Sequence, residues 1–476
     1  MPPTTAVIVG AGPNGLAAAL ELARLGHRVI VYEAMDAPGG GTRSAELTLP
    51  GFLHDICAAV HPLAVASPFF RSLPLAAHGL EWVHSPALLA HPFDDGTAAV
   101  LERSTRDTGQ SLDRVDATAW ARLMDPFVAR WEALLSDVLG LPSRAPRHPL
   151  LFARFGLLAL RSALGLARHA FRGERARALF AGIAGHSLLP LDAPPSAAIG
   201  LVLAIAGHAV GWPIARGGSQ RIADALVSIL RERGAELRLD SPVHSLDELP
   251  PATATLLDLS ARDVLDLAGR RFPSHYRRQL ASYRYGPGAF KIDWALSEPI
   301  PWKAPECARA ATVHLGGSTA EIAASARNAW EGRPTERPFV LLAQPTLFDP
   351  TRAPAGKHIA WAYCHVPHAS PIDMTRAIED QVERFAPGFR DTILARSTMN
   401  ALELEQHNPN LVGGEINGGA MTLRQIFARP TLRLVPYATP IPGLYICSAS
   451  TPPGGGVHGM CGYYAARVAA ARMPRP

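Results

Sequence analysis

The sequence predicts an α/β fold built on a Rossmann-type dinucleotide-binding unit. Three stretches predict it: a strand–glycine turn–helix–strand unit near the start, a glycine cluster just behind it, and a strand–glycine–helix segment near the other end.

The first stretch begins with Ala6-Val7-Ile8-Val9, a short β-branched run suited to a buried strand. Gly10-Ala11-Gly12-Pro13-Asn14-Gly15 follows, and then the apolar helical stretch Leu16 to Leu25, which Gly26 stops. Arg28 to Tyr32 makes a second strand and leads into Glu33. This order is the whole βαβ fingerprint rather than a lone glycine motif. Gly10 allows the tight turn, Gly12 lets backbone approach a pyrophosphate, and Gly15 lets helix pack on strand. The helix N-terminus faces the anion. Glu33 falls roughly 20 residues on, where a carboxylate accepts hydrogen bonds from ribose hydroxyls. The candidate dinucleotide contacts here are Gly10, Ala11, Gly12, Asn14, Gly15 and Glu33.

The second stretch, Pro38-Gly39-Gly40-Gly41-Thr42-Arg43-Ser44, follows the ribose acid directly. A nicotinamide-binding Rossmann domain needs no second glycine cluster at that place. The third stretch is Ile441 to Ser450, a turn and a strand, followed by Pro452-Pro453-Gly454-Gly455-Gly456-Val457-His458-Gly459-Met460 and a small-residue helix through Ala470. Gly454, Gly456 and Gly459 also satisfy the glycine spacing. Too few residues remain for a second βαβ unit of about 30 residues.

These three stretches together resemble the FAD-containing amine-oxidase and phytoene-desaturase superfamily. The resemblance covers nearly the whole chain and is nearest to the phytoene-dehydrogenase-like proteins and their animal relatives, the pyridine nucleotide-disulfide oxidoreductase domain-containing proteins. Leu47 to Asp55, Gly413-Gly414-Glu415-Ile416-Asn417-Gly418-Gly419 and the C-terminal glycine segment also carry it. The resemblance implies non-covalent FAD. It places Gly40, Gly41, Thr42 and Arg43 under the phosphates and ribityl chain, and Val243 against the adenine. It places Ser450, Gly455, Gly456, Val457, Gly459 and Met460 at the flavin ring, with the last helix pointing its positive end at the pyrimidine. The name of the animal group suggests a redox disulfide. None of Cys57, Cys307, Cys364, Cys447 and Cys461 makes a Cys-x-x-Cys pair, so that chemistry is not expected.

The resemblance also implies a Rossmann-type FAD-binding domain interleaved with an α+β substrate domain. Residues 1–75, 214–285 and 411–476 would assemble the FAD-binding domain. Residues 76–213, rich in leucine and alanine and read as helical, and residues 286–410, with strand patterns, would form the substrate domain. Arg221 to Arg233 reads as a helix and Glu236 to Leu239 as a strand. Phe290 to Leu296, Phe339 to Ala343 and His358 to Val366 read as further strands.

A chain of 476 residues is long enough for two such domains with a substantial core. Five scattered cysteines favour a reducing, cytoplasmic setting. Met1 to Thr5 show no charged region or cleavage pattern, so no leader is expected. A net charge of +5 is modest, and no zinc, helix-turn-helix or aromatic-basic pattern suggests a nucleic-acid partner. No metal-ligand cluster, P-loop or serine-nucleophile elbow is present, so the chemistry must come from a cofactor. Ala197 to Trp212 reads as a buried helix. Pro149 to Arg172 is apolar, with Arg154, Arg161 and Arg168 spaced by seven and expected on one helical face. Such a helix can lie on an anionic membrane, giving a peripheral contact. A solvated arginine stripe is the favoured reading.

In His358 to His365, alternation puts Ile359, Trp361, Tyr363 and His365 on one face. Trp361 and Tyr363 are candidates to line a substrate tunnel, with His54 and His61 at its border. Lys291 and Asp293 share a face of the preceding strand. Lys291 is a candidate catalytic group by analogy with a flavin-facing lysine in amine oxidases; the competing reading is a surface Lys–Asp pair. His458, at the start of the last helix, is the other catalytic candidate, for proton transfer; it could equally cap or pack.

The activity implied is a desaturase-type exchange of hydride between FAD and an apolar, unsaturated, isoprenoid-like substrate, with oxygen or a quinone as electron acceptor. Redox-neutral double-bond isomerisation and saturation occur in the same family. A different class is a prenyl-binding carrier of the GDP-dissociation-inhibitor type. The intact Glu33 and Gly40-Gly41-Thr42-Arg43 argue against a carrier, which needs no full cofactor site.

Overall fold

The computed structural model describes residues 4–141 and 144–474. Met1 to Pro3, on which part of the leader expectation rests, lie outside them.

The N-terminal run forms the strand Thr5–Val9, almost wholly buried, and Gly10 turns with φ +99° into the helix Pro13–Arg24. Pro13 at the first helical position is pre-set for a helix start. The strand Arg28–Tyr32 returns parallel to the first, with Val7 opposite Ile30. Thr5–Val9 is central in a five-stranded parallel sheet. On one side lie Ala254–Leu257 and Leu444–Ile446, and on the other Arg28–Tyr32 and Glu236–Arg238. Strands far apart in sequence thus meet in one sheet, buried on both faces as parallel sheets require. The helices Pro13–Arg24, Gln220–Glu232 and Met460–Ala470 cover one face.

A second, seven-stranded sheet has the order Ile393–Met399, Gly288–Leu296, His358–Val366, Val340–Ala343, Thr312–Leu315, Leu89–Pro92, Ala98–Leu101. The last two strands come from the stretch read as helical. They are short and alanine-rich, so their alternation is too weak to stand out. One face of this sheet, through Ile292, Trp294, Ala360 and Ala362, packs on the helix Thr375–Phe385 in a core of its own. The other face turns inward and carries Lys291, Asp293, Trp361 and Tyr363.

Ala197–Val210 is a buried helix, as its composition indicates. The arginine stripe is not one face. The helix Pro149–Ala159 ends and a second, Ala163–Ala170, leaves it at 101°. Ser162 caps the second helix by accepting the Gly165 N–H, which fixes the break. Arg154 and Arg168 are exposed on different helices, while Arg161 is half-buried and donates to the Gly165 carbonyl. Among the described residues, no single helix is long and apolar enough to cross a membrane.

Candidate functional site

The glycine turn is tight for a measurable reason. A Cβ at Gly15 would stand 2.0 Å from the Gly10 carbonyl oxygen, so only hydrogen fits where the helix Pro13–Arg24 leaves the strand. The Gly15 N–H donates to Asp258 Oδ2 at 2.8 Å. Asp258 follows the neighbouring strand Ala254–Leu257 and is buried beside the turn; burial, reinforced by the charge of Glu33, pushes its carboxyl up to about 7. Sequence reasoning missed Asp258. The signal was an acid directly after a buried strand, at the sheet end where the turn lies.

Glu33 closes the other side. Its carboxylate accepts the Ala11 N–H at 2.7 Å and the Met35 N–H at 3.0 Å. Its carbonyl accepts the Ser241 N–H, which brings the segment with Val243 alongside. The second glycine cluster forms a short 3-10 turn, Gly40–Thr42, and is fastened to the first by the Gly39 N–H donating to the Ala11 carbonyl. A Cβ at Gly40 would lie 3.2 Å from the Gly12 Cα. The buried Arg43 guanidinium donates to the carbonyls of Gly40 and His407.

The C-terminal segment returns to the same place. Gly456 holds φ +116° and Gly459 φ +67°, both in the region that favours glycine. The helix Met460–Ala470 then lies across Pro13–Arg24 so closely that a Cβ at Gly462 would be 1.7 Å from the Asn14 carbonyl oxygen.

These parts surround one cavity. Gly12 and Asn14 line its phosphate end, Gly40, Gly41 and Thr42 its floor, and Ser450, Gly455, Gly456 and Val457 its C-terminal wall. It continues without interruption to Trp361 and Tyr363 on the inward sheet face. Asn14 Oδ1 and Ser450 Oγ are buried there with no protein partner. Buried polar atoms without partners cost roughly 1–3 kcal/mol each, so both mark positions for a polar ligand. Gly10, Ala11, Gly15, Glu33, Arg43, Val243, Gly459 and Met460 do not line the cavity; they support or adjoin it. Among the described residues no group of histidine, cysteine and acids is arranged to hold a metal.

Three candidates do not line the cavity, and for a fourth, Lys291, the competing surface reading fails. His54 is buried behind the sheet face, its Nε2 2.8 Å from the Thr48 hydroxyl and its Nδ1 3.5 Å from Asp293. Burial and the nearby Lys291 and Arg352 charges press its pKa down to about 3, so it is neutral. His61 is likewise buried, 2.7 Å from the Ser219 hydroxyl, and burial takes it to about 4. Neither borders the cavity. His458 accepts the Met460 N–H through Nδ1, its carbonyl accepts the Ser67 hydroxyl, and it does not line the cavity. Lys291 is not a surface residue. It is 2 % exposed, bonded to the equally buried Asp293, and its ammonium lies 6.0 Å from the Trp361 ring centre. The face that carries it turns inward with Trp361 and Tyr363 and not to solvent, which the sequence of one strand does not reveal.

Beside this pair stands a second buried one. Arg352 Nη2 lies 3.0 Å from Asp55, which also accepts from Ser44 and from the Ser219 N–H. Asp55, Asp293, Lys291 and Arg352 are all at most 2 % exposed, and their charges balance.

Comparison with known proteins agrees with this geometry. Residues 8–73 match the family described as NAD(P)-binding Rossmann-like domain. The chain is similar to mouse pyridine nucleotide-disulfide oxidoreductase domain-containing protein 2, with 27 % identity over 98 % of this chain and 93 % of the other. It is similar to the lycopene-forming phytoene desaturase of a Paracoccus species, with 23 % identity over 96 % and 95 %. Among solved structures, an oxidoreductase from Methanosarcina mazei shares the fold with a TM-score of 0.65 and 16 % identity, covering 98 % of this chain and all of that one.

Proposed function

We propose that this chain, an oxidoreductase related to the phytoene desaturases, binds FAD non-covalently and exchanges hydride with carbon of an apolar substrate laid on the Trp361–Tyr363 face. The continuity of one cavity from the Gly12–Asn14 turn to that aromatic face carries the reading. In the segment scheme, residues 1–75, 214–285 and 411–476 hold the cofactor, and 76–213 and 286–410 hold the substrate.

The glycine cradle fits a pyrophosphate, since a Cβ at Gly12 or Gly15 would press on Asp258 or the Gly10 carbonyl and open the tight turn that such a group approaches. FAD, when bound, supplies hydride acceptance at its ring, which no side chain of this protein can do. The chain's own residues bind, orient and exclude water. Glu33, fixed by the Ala11 and Met35 amides, would accept ribose hydroxyls with its remaining lone pairs. Arg43, held by two carbonyls, keeps a fixed positive charge beside the phosphates. Gly455 and Gly456 bring backbone, not side chains, to the ring. Trp361 and Tyr363, stacked with centres 5.6 Å apart, wall the substrate side from solvent. Oxygen or a quinone would serve as the electron acceptor.

Acid precipitation of the purified protein is expected to release a yellow supernatant. Glu33→Ala is expected to weaken FAD binding by about 10- to 150-fold, from a charge-assisted contact of about 1.5–3 kcal/mol. A colourless protein that takes up no added FAD overturns the reading; unchanged affinity in the variant removes Glu33 from the site.

We also infer a peripheral contact with lipid. Leu150 and Leu157 project from the helix Pro149–Ala159 with 87 % and 76 % exposure, and exposed Arg154 lies between them. Two leucines reaching the acyl boundary and one arginine near anionic headgroups, worth about 1 kcal/mol, give reversible association. Vesicles containing phosphatidylserine are expected to co-sediment the protein, and less so at high salt. The double substitution Leu150→Glu, Leu157→Glu is expected to abolish this; undiminished sedimentation would place the contact elsewhere.

A further inference from the structure

The cavity has apolar walls from Leu341, Leu342, Leu411 and Ile416, yet one spot on the inward sheet face is polar. Thr312 and Trp361 both line it, at 3 % and 5 % exposure. Thr312 Oγ1 and Trp361 Nε1 are buried with no hydrogen-bond partner. The two residues lie in one row of the sheet: Thr312 pairs with Ala343, and Ala343 with Trp361. Strand spacing puts their backbones about 9–10 Å apart. Ala343, the residue between them, is small and also lines the cavity, so the space over it is open. His186 lines the same cavity, its Nε2 3.2 Å from His314 Nε2.

An indole N–H only donates, and a hydroxyl donates and accepts. A hydrocarbon leaves both unmatched, and each unmatched buried group is costly. The ligand group that answers them is an acceptor oxygen. That oxygen is uncharged, because the spot offers no free countercharge. Lys291 is already neutralised by Asp293, and His186 is kept neutral by burial and the neighbouring His365. A lone carboxylate there would be a buried charge without a partner.

We propose that Thr312 and Trp361 seat an uncharged oxygen, a ketone, aldehyde or alcohol, on an otherwise apolar substrate, so that the substrate class is oxygenated and not pure hydrocarbon. This rests on the cavity being the substrate site, as proposed above.

Calorimetric titration of the FAD-loaded protein tests it with two probes: geranylgeraniol, and the hydrocarbon of the same skeleton with hydrogen in place of the hydroxyl. The alcohol is expected to bind about tenfold more tightly, a difference of about 1.4 kcal/mol. Thr312→Val and Trp361→Phe are each expected to shrink that ratio toward one, and Thr312→Ser to keep it. Equal binding of the two probes, or tighter binding of the hydrocarbon, overturns this inference and leaves the proposed function standing. Failure of both probes to bind overturns the substrate reading and this inference with it. If Trp361→Phe shifts the resting flavin spectrum or the FAD affinity, the indole N–H belongs to the cofactor, and the inference falls on that ground alone.

Discussion

Arg352→Met is expected to destabilise the fold by about 3–5 kcal/mol, the cost of leaving a buried acid without its partner. Asp55 would keep its bonds from Ser44 and the Ser219 N–H but lose the guanidinium 3.0 Å away. The loss is pH-dependent in a defined sense. The Arg352 charge and the two hydrogen bonds hold the Asp55 carboxyl below its ordinary value against the opposing effect of burial. A carboxyl depressed in the folded state contributes stability above its unfolded pKa, and that contribution is lost as pH falls through the folded value. Wild-type protein should therefore keep this contribution at neutral pH and lose it only in acid, below about pH 4. The variant should be destabilised at neutral pH and gain back relative stability as Asp55 protonates. Urea unfolding at pH 7 and at pH 4 checks both. An equal deficit at the two pH values would show that lost packing, not the charge, is responsible.

Gly15→Ala is the second large effect. The added methyl would meet the Gly10 carbonyl oxygen at 2.0 Å and Asp258 Oδ2 at 3.0 Å. The first neighbour is backbone and cannot rotate away, so the helix Pro13–Arg24 must lift from the strand. Overpacking of this kind costs about 1–3 kcal/mol, sometimes more. The lift also moves the backbone amides of the turn that would hold a pyrophosphate. FAD retention is expected to fall at least 100-fold, with the melting temperature lowered by a few degrees for a chain of this size. Gly26→Ala serves as a control: Gly26 ends the same helix with φ +88°, so it costs stability without touching the cavity. Flavin content after gel filtration, measured for both, separates site damage from general damage. Full flavin occupancy in Gly15→Ala would remove the turn from the cofactor site.

The parts of this molecule that repeat a local pattern were readable in its sequence. The Gly10–Gly15 turn, the strand pair around it and the helix Ala197–Val210 are each specified within about 30 residues. So was the alternation that puts Trp361 and Tyr363 on one face. What depends on partners far along the chain was not readable. Asp258 meets Gly15 across 243 residues, and the Asp55–Arg352 pair joins the short strand Leu53–Asp55 to the 3-10 turn Pro350–Arg352. The surface-pair alternative for Lys291 fails because only the tertiary fold covers its strand. His54, His61 and His458 lie near glycine segments in the sequence. Their side chains instead close hydrogen bonds inside the scaffold. The break at Ser162 defeated the arginine spacing because one N-cap serine outweighs a weak seven-residue pattern.

The contact of Gly462 with the Asn14 carbonyl has a consequence for biosynthesis. The helix that opens the nucleotide unit receives its covering helix only after some 450 further residues have been made. At about 5–20 residues per second, the ribosome needs roughly 20–90 s for that interval. Throughout it, the apolar flank of Pro13–Arg24 waits uncovered, and the nascent chain holds half of a binding site. The cavity, which takes its walls from both ends of the chain, is therefore completed only once synthesis has reached the last helix.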